Sequence, residues 1–278
     1  MISDVRSQLE PFLQTVAQAP CSVLFLDYDG TLAPFQTRRD RAYPYPGVEP
    51  SLQEIVRNGR TRVVVITGRD ANDIVPLLNI HPLPEVWGIH GMQRLRNDGS
   101  TEMPHLDERT LHALSDAERW VAAQRLRHTA EFKAAGIAVH WRGLNETDAE
   151  DIRSRVMLGW RPIAKCSGLN LLDFDGGIEI RPRQADKGTA VRRFLGVLAA
   201  ATPVAYLGDD STDEAAFQAM QGRGVTVLVR PKRRPTAAQF WLKPPEQLLD
   251  FLGLWLKRCT EHDALKGSAS AATIGQSG

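Results

Sequence analysis

The residues in this chain best suited to chemistry are Asp27 and Asp29, in the stretch Leu24-Phe25-Leu26-Asp27-Tyr28-Asp29-Gly30-Thr31, where an apolar run ends in two carboxylates one residue apart. Alternation along an extended chain points both the same way. Three further polar clusters have the same look. Arg62-Val63-Val64-Val65-Ile66 runs into Thr67-Gly68-Arg69, Val204-Ala205-Tyr206-Leu207 runs into Gly208-Asp209-Asp210-Ser211-Thr212-Asp213-Glu214, and Lys187 stands at the predicted start of a helix. Taken singly, each has a plain explanation: turn aspartates, a threonine helix cap, or acidic residues in a helix's first turn. Together they supply what phosphoryl transfer needs. Asp27 is a carboxylate nucleophile, Asp29 an acid and then a base, Thr67 and Lys187 hold phosphate oxygens, and Asp27 with Asp209, backed by Asp210 or Asp213, offers the oxygen ligands that Mg²⁺ prefers.

Apolar runs of this kind read as strands of a parallel sheet covered by helices on both faces, with ligands bound beyond the carboxyl ends of the strands. Strand and helix signals alternate from Ser22 to about Trp87 and resume after Lys187. Between them, from about Pro104 to Arg181, the pattern changes. A helix is expected around 111–127, strands around 129–133 and 138–141, a helix over 148–159, and strands near 161–164, 169–174 and 177–180. Turn signals at Lys133-Ala134-Ala135-Gly136 and Asp173-Phe174-Asp175-Gly176-Gly177 imply antiparallel hairpins. The expected organisation is an α/β catalytic core formed by 1–103 with 182–266, an inserted smaller α/β cap over 104–181, and a tail at 267–278 too polar and small-residued to order itself. Pro245-Leu256 reads as a closing amphipathic helix.

The spacing Asp-x-Asp-Gly-Thr, then a Thr, a Lys and a Gly-Asp-Asp loop, resembles the haloacid dehalogenase superfamily of phosphatases. That resemblance implies a Rossmann-like core, Mg²⁺ as cofactor, Asp27 as nucleophile, Asp29 as acid/base that also lends its backbone carbonyl to the metal, and Asp209 as the third metal ligand. Within the superfamily the chain resembles the trehalose-6-phosphate phosphatases over nearly its whole length. The motifs are His90-Gly91, Glu131-Phe132-Lys133, His140-Trp141-Arg142, Glu179-Ile180-Arg181-Pro182 and Lys187-Gly188, with Thr67 where that family commonly has Ser and Trp141 where it has Tyr. The resemblance implies a phosphorylated disaccharide as substrate, bound by Gly68, Arg69, His90, Glu131, Lys133, Arg142 and Glu179. From spacing alone, the cap residues also fit a cross-strand ion-pair ladder on a wet face, and His90 a structural histidine. Other sugar phosphates, a phosphomutase and an inactive sugar-phosphate sensor remain open alternatives.

Composition narrows the rest. The formal net charge of +1 over 278 residues gives no nucleic-acid signature, and the run Arg230-Pro231-Lys232-Arg233-Arg234 reads as a solvated loop. Cys21, Cys166 and Cys259 are too scattered for a disulfide framework. With no secretory pattern and no apolar run approaching the ~20 residues of a membrane span, a cytoplasmic protein without nucleic-acid or membrane partners is expected. Nothing in the sequence sets the oligomeric state, and a monomer is the working expectation.

Overall fold

A computed structural model of the chain describes residues 2–36 and 38–274, with side chains placed for 5–36 and 38–261. It begins with α1 (Ile2–Gln18), β1 (Ser22–Leu26), α2 (Val48–Asn58), β2 (Thr61–Ile66), α3 (Ala71–Leu78), β3 (Glu85–Gly88), β4 (Gln93–Leu95) and β5 (Thr101–Glu102). An inserted run follows: α4 (Glu108–Ala123), β6 (Ala130–Lys133), β7 (Gly136–His140), α5 (Glu146–Ser167), β8 (Asn170–Phe174) and β9 (Gly177–Arg181). The chain then returns through α6 (Lys187–Leu195), β10 (Val204–Gly208), α7 (Glu214–Ala219), β11 (Val225–Val229), β12 (Phe240–Leu242) and α8 (Glu246–Ile274).

The large sheet has the order β12-β11-β10-β1-β2-β3-β4-β5. Its strands are parallel from β12 to β3, and β4 and β5 are antiparallel additions. β1 lies in the middle and every one of its residues is buried, so its apolar run serves two cores. Leu24 and Leu26 join the cluster made with α1, α2, α3 and α8, while Val23 and Phe25 join the one made with α6 and α7. This is the expected sheet with helices on both faces. Because β10, β1 and β2 are adjacent and parallel, Asp209, Asp27 and Thr67 leave the sheet at the same edge.

The small sheet, β6-β7-β9-β8, is antiparallel throughout. Ile137, Val139, Ile178 and Ile180 face α4 and α5, where Ala117, Val121, Val156 and Trp160 complete a separate core. Alternation sends the intervening residues, Glu131, Lys133, His140, Glu179 and Arg181, to the other face.

One expectation differs from what is observed. The strand expected near 161–164 is the last part of α5, which runs unbroken through Pro162 to Ser167. Ile152, Val156, Trp160 and Ala164 are its buried residues, and that four-residue spacing is a helical stripe. α8 is described as far as Ile274, within the tail expected at 267–278. Residues 275–278 lie outside the described residues.

Candidate active site

Asp27 follows β1 directly, 3% exposed, with its two carboxylate oxygens differently engaged. Oδ1 accepts from Lys187 Nζ at 2.6 Å and Oδ2 from the Thr31 hydroxyl at 3.0 Å. Lys187 is the first residue of α6, whose Asp186 cap accepts the Thr189 amide, so the helix start fixes where the lysine emerges. The same Nζ donates to Asp213 Oδ1 at 2.8 Å, and that oxygen also accepts the Tyr206 hydroxyl at 2.6 Å. Asp213 Oδ2 takes the amides of Asp209 and Asp210, each at 3.1 Å. Asp213 therefore organises the acidic loop from beneath. Gly30, at φ +87°, lets Asp209 close over the strand end, since a side chain there would collide with the Asp209 carboxylate.

Asp27, Asp209 and Asp213 each have a carboxylate oxygen within 4.8 Å of the others'. Burial pushes Asp27 up to about 7 against the pull of Lys187. Burial, then Asp27 and Asp213, push Asp209 well above the usual carboxylate range. Burial disfavours the charge on Lys187, but Asp213 and Asp27 overcome it and raise the ammonium above its ordinary value. A buried set of oxygen donors with one lysine to balance it fits a hard divalent cation. Asp29's carboxylate lies outside this cluster. Arg69 Nε donates to its Oδ2 at 2.7 Å, and the Arg69 Nη2 pairs with Oδ1.

Above the sheet edge a cavity of about 470 Å³ is lined by Asp27, Asp29, Lys187 and Asp209 on one side and by Glu131, Lys133, Arg142 and Glu179 on the other, with Gly68, Arg69 and His90 between them. Of the residues named from sequence, Thr67 and Asp213 do not line this cavity. Thr67 is 1% exposed, and its hydroxyl accepts the Arg69 amide at 3.2 Å. Arg69 is engaged with Asp29 and with the Arg39 carbonyl. His90 Nε2 meets Glu179 Oε2 at 2.8 Å, and Lys133 Nζ donates to Glu179 Oε1 at 2.9 Å. His140 meets Glu131 at 3.0 Å, and Arg39 pairs with the same carboxylate. This face of the small sheet is therefore an ion-paired cluster that also forms a wall of the cleft.

His90 is reached through a strained turn in which Ile89 and His90 take φ of +49° and +53°, a region costly for a β-branched residue. Burial and the Arg181 charge hold its imidazole down to about 3 despite Glu179, so the neutral ring donates from Nε2. Sequence reasoning missed Arg39 and Phe35, which line the cleft from the loop after β1. Arg39 sits in Arg38-Arg39-Asp40-Arg41, a charge run that reads as solvated, and only the approach of the small sheet distinguishes it.

This arrangement accompanies similarity to known proteins. The trehalose-phosphate phosphatase of Mycobacterium marinum is 31% identical over 268 residues, covering 89% of this chain and 66% of its own length, so the chain spans just under two thirds of that relative. The C-terminal domain of Candida albicans trehalose-6-phosphate phosphatase superposes with a TM-score of 0.76 at 20% identity, covering 89% of this chain and 96% of that one. A haloacid dehalogenase-like hydrolase from Bacteroides thetaiotaomicron superposes with a TM-score of 0.61 at 13% identity, covering 84% and 98%. These two structures speak for the fold. The family model described as trehalose-phosphatase matches residues 25–246, from within β1 to the start of α8, and the chain belongs to that family.

Proposed function

We propose that this chain is a phosphatase that hydrolyses trehalose 6-phosphate to trehalose and phosphate in the cytoplasm, with Mg²⁺ as its cation, and that residues 104–181 cap a core made of 1–103 and 182–266. The observation that carries the reading is the pairing of a buried, lysine-held carboxylate with a facing wall of sugar-compatible polar groups in one cavity. In this mechanism Asp27 attacks phosphorus in line, the phosphoryl group passes to its carboxylate, and the trehalose oxygen departs. Lys187 neutralises charge on the phosphoryl oxygens, and Thr31 steadies the nucleophile. Asp29 gives the leaving oxygen its proton and then takes one from the water that cleaves the aspartyl-phosphate, while Arg69 fixes its orientation.

Asp27, Asp209 and the Asp29 carbonyl would hold the cation, which when bound supplies charge stabilisation to the transferring phosphoryl group. Glu131, Lys133, Arg142 and Glu179 would bind the sugar hydroxyls, and that binding energy orients the phosphate. Cys21, Cys166 and Cys259 are not joined by a disulfide, which is consistent with the compartment. Phosphate release should be measured on trehalose 6-phosphate, sucrose 6-phosphate, mannosyl-phosphoglycerate and glucose 6-phosphate at equal concentration. Preference for trehalose 6-phosphate supports the reading; comparable or better rates on another member would reassign the substrate, and no release from any would leave a sugar-phosphate sensor.

A further inference from the structure

The basic run at 230–234, a solvated loop by composition, lies against the acidic loop. Arg230 follows β11 and donates from Nη1 to the Asp209 carbonyl at 3.3 Å, while its Nη2 pairs with Asp175 Oδ2 at 2.8 Å. Asp175 sits in the hairpin turn between β8 and β9, the tip of the small sheet nearest the acidic loop. Three other contacts fasten that tip. The Asp175 amide donates to Asp210 Oδ2 at 3.0 Å, the Ser211 hydroxyl donates to the Asp173 carbonyl at 3.4 Å, and Arg142 donates to the Asp175 carbonyl with its guanidinium 3.7 Å above the Phe35 ring. Arg234 makes an instructive contrast. It too donates to the Asp209 carbonyl, at 3.1 Å, but its partner carboxylate is Glu214 on the large-sheet side.

We infer that Arg230 is a positioning residue that couples closure of the small sheet over the cleft to the placement of the acidic loop. One guanidinium holds the Asp209 carbonyl and the hairpin tip, so the tip, when down, adds to the hold that Asp213 and Arg234 already have on the loop. Arg230 and Asp175 side chains are 25% and 44% exposed, and a pair that open adds little to global stability. Its effect falls on the balance between open and closed forms, which a small free-energy difference can move. The kinetic consequence rests on the proposed phosphatase activity; the structural coupling does not.

Asp175→Asn removes the charge while keeping the amide that reaches Asp210, and pairing Arg230→Asp with Asp175→Arg exchanges the two charges. Hydrogen exchange is read at 173–176 and 209–211. In Asp175→Asn and Arg230→Gln both segments should exchange faster together, by about threefold to tenfold, and the charge exchange should bring 173–176 back toward the wild-type rate. On trehalose 6-phosphate, Asp175→Asn should lower kcat/KM by about threefold to tenfold, while turnover of p-nitrophenyl phosphate, which uses the acidic loop but is too small to need covering, should fall by clearly less. Arg234→Gln should lower both substrates together. Unchanged exchange at either segment, equal losses on both substrates in Asp175→Asn, or a charge exchange no better than the combined single variants would overturn the inference. A wild-type enzyme that cleaves p-nitrophenyl phosphate but not trehalose 6-phosphate would defeat the substrate reading, and the exchange data would still decide the role of Arg230.

Discussion

Two buried charge clusters face each other across the cleft, and they are balanced in opposite ways. At the end of β1, Asp27, Asp209 and Asp213 crowd around Lys187, and burial drives the first two above the normal carboxylate range. On the small sheet, Glu179 is just as buried, but Lys133, His90 and Arg181 outweigh the burial and hold it well below that range. The first cluster is short of positive charge and presents oxygen ligands; in the second the carboxylate is already paired, and the buried atoms left without a hydrogen bond, His90 Nδ1 and Arg181 Nε and Nη1, belong to its partners. A site that must take up a cation and a phosphoryl group benefits from an unfilled electrostatic demand, whereas a wall that must present fixed hydrogen-bonding groups to a sugar benefits from having none.

The largest expected effect tests the unsatisfied side. Asp27→Asn should lower turnover by at least about 10⁴-fold with the fold retained, because an amide is a poor nucleophile and groups acting as a unit fail together. A circular-dichroism spectrum and melting curve like wild type, with no phosphate release, are the check; substantial residual turnover would remove Asp27 from the chemistry. Chelation should stop the reaction, and Mg²⁺ at about 100 times its dissociation constant should stabilise the protein by about 2.7 kcal/mol. Asp209→Asn should abolish that thermal shift and, without cation, melt no lower than wild type, since it relieves like-charge crowding. If it melts much lower, the cluster is balanced after all.

The satisfied side should respond through stability. Lys133→Met strands the Glu179 carboxylate beside His90 and Arg181, and should cost about 2–3 kcal/mol, at or below the usual range for a broken buried pair because those partners remain. Chemical denaturation measures it, and a loss under half that value would mean the wall tolerates an unpaired carboxylate.

The last effect concerns pH. His90 titrates at about 3 in the folded chain, below its ordinary 6.5, with Glu179, Arg181 and Lys133 facing it. Between those values the unfolded chain binds a proton that the folded chain does not, so stability is present above the ordinary histidine range and is lost as pH falls, by up to about 1.4 kcal/mol for each pH unit. His140, held down by burial, Arg39 and Lys133, acts in the same direction. His90→Gln should flatten the decline between pH 6.5 and 4.5. An identical slope in the variant would assign the acid sensitivity elsewhere.

Much of the fold could be read from residue patterns. β1, β10, β11 and the Val63–Ile66 part of β2 are largely apolar and fully buried, as in a sheet covered on both faces. The α5 stripe was present in the sequence too, but the expected helix stopped at 159, whereas α5 runs through Pro162 to Ser167. Arg39 and Arg230 were not legible at all. A charge run in a loop looks the same whether it faces solvent or a partner distant in sequence, and their partners, Glu131 and Asp175, belong to the inserted unit.

The sequence by itself determined the chemical groups and their order: a pair of carboxylates after an apolar strand, a lysine opening a helix, and an acidic loop after a second strand, because strand period and helix capping are local properties. The tertiary structure alone decided the partnerships. Arg69 turned to Asp29, Asp213 went beneath the acidic loop, and His90 met Glu179 at a sequence separation of 89. Such contacts depend on how two sheets with separate cores pack across a cleft, and on which charges that packing removes from water.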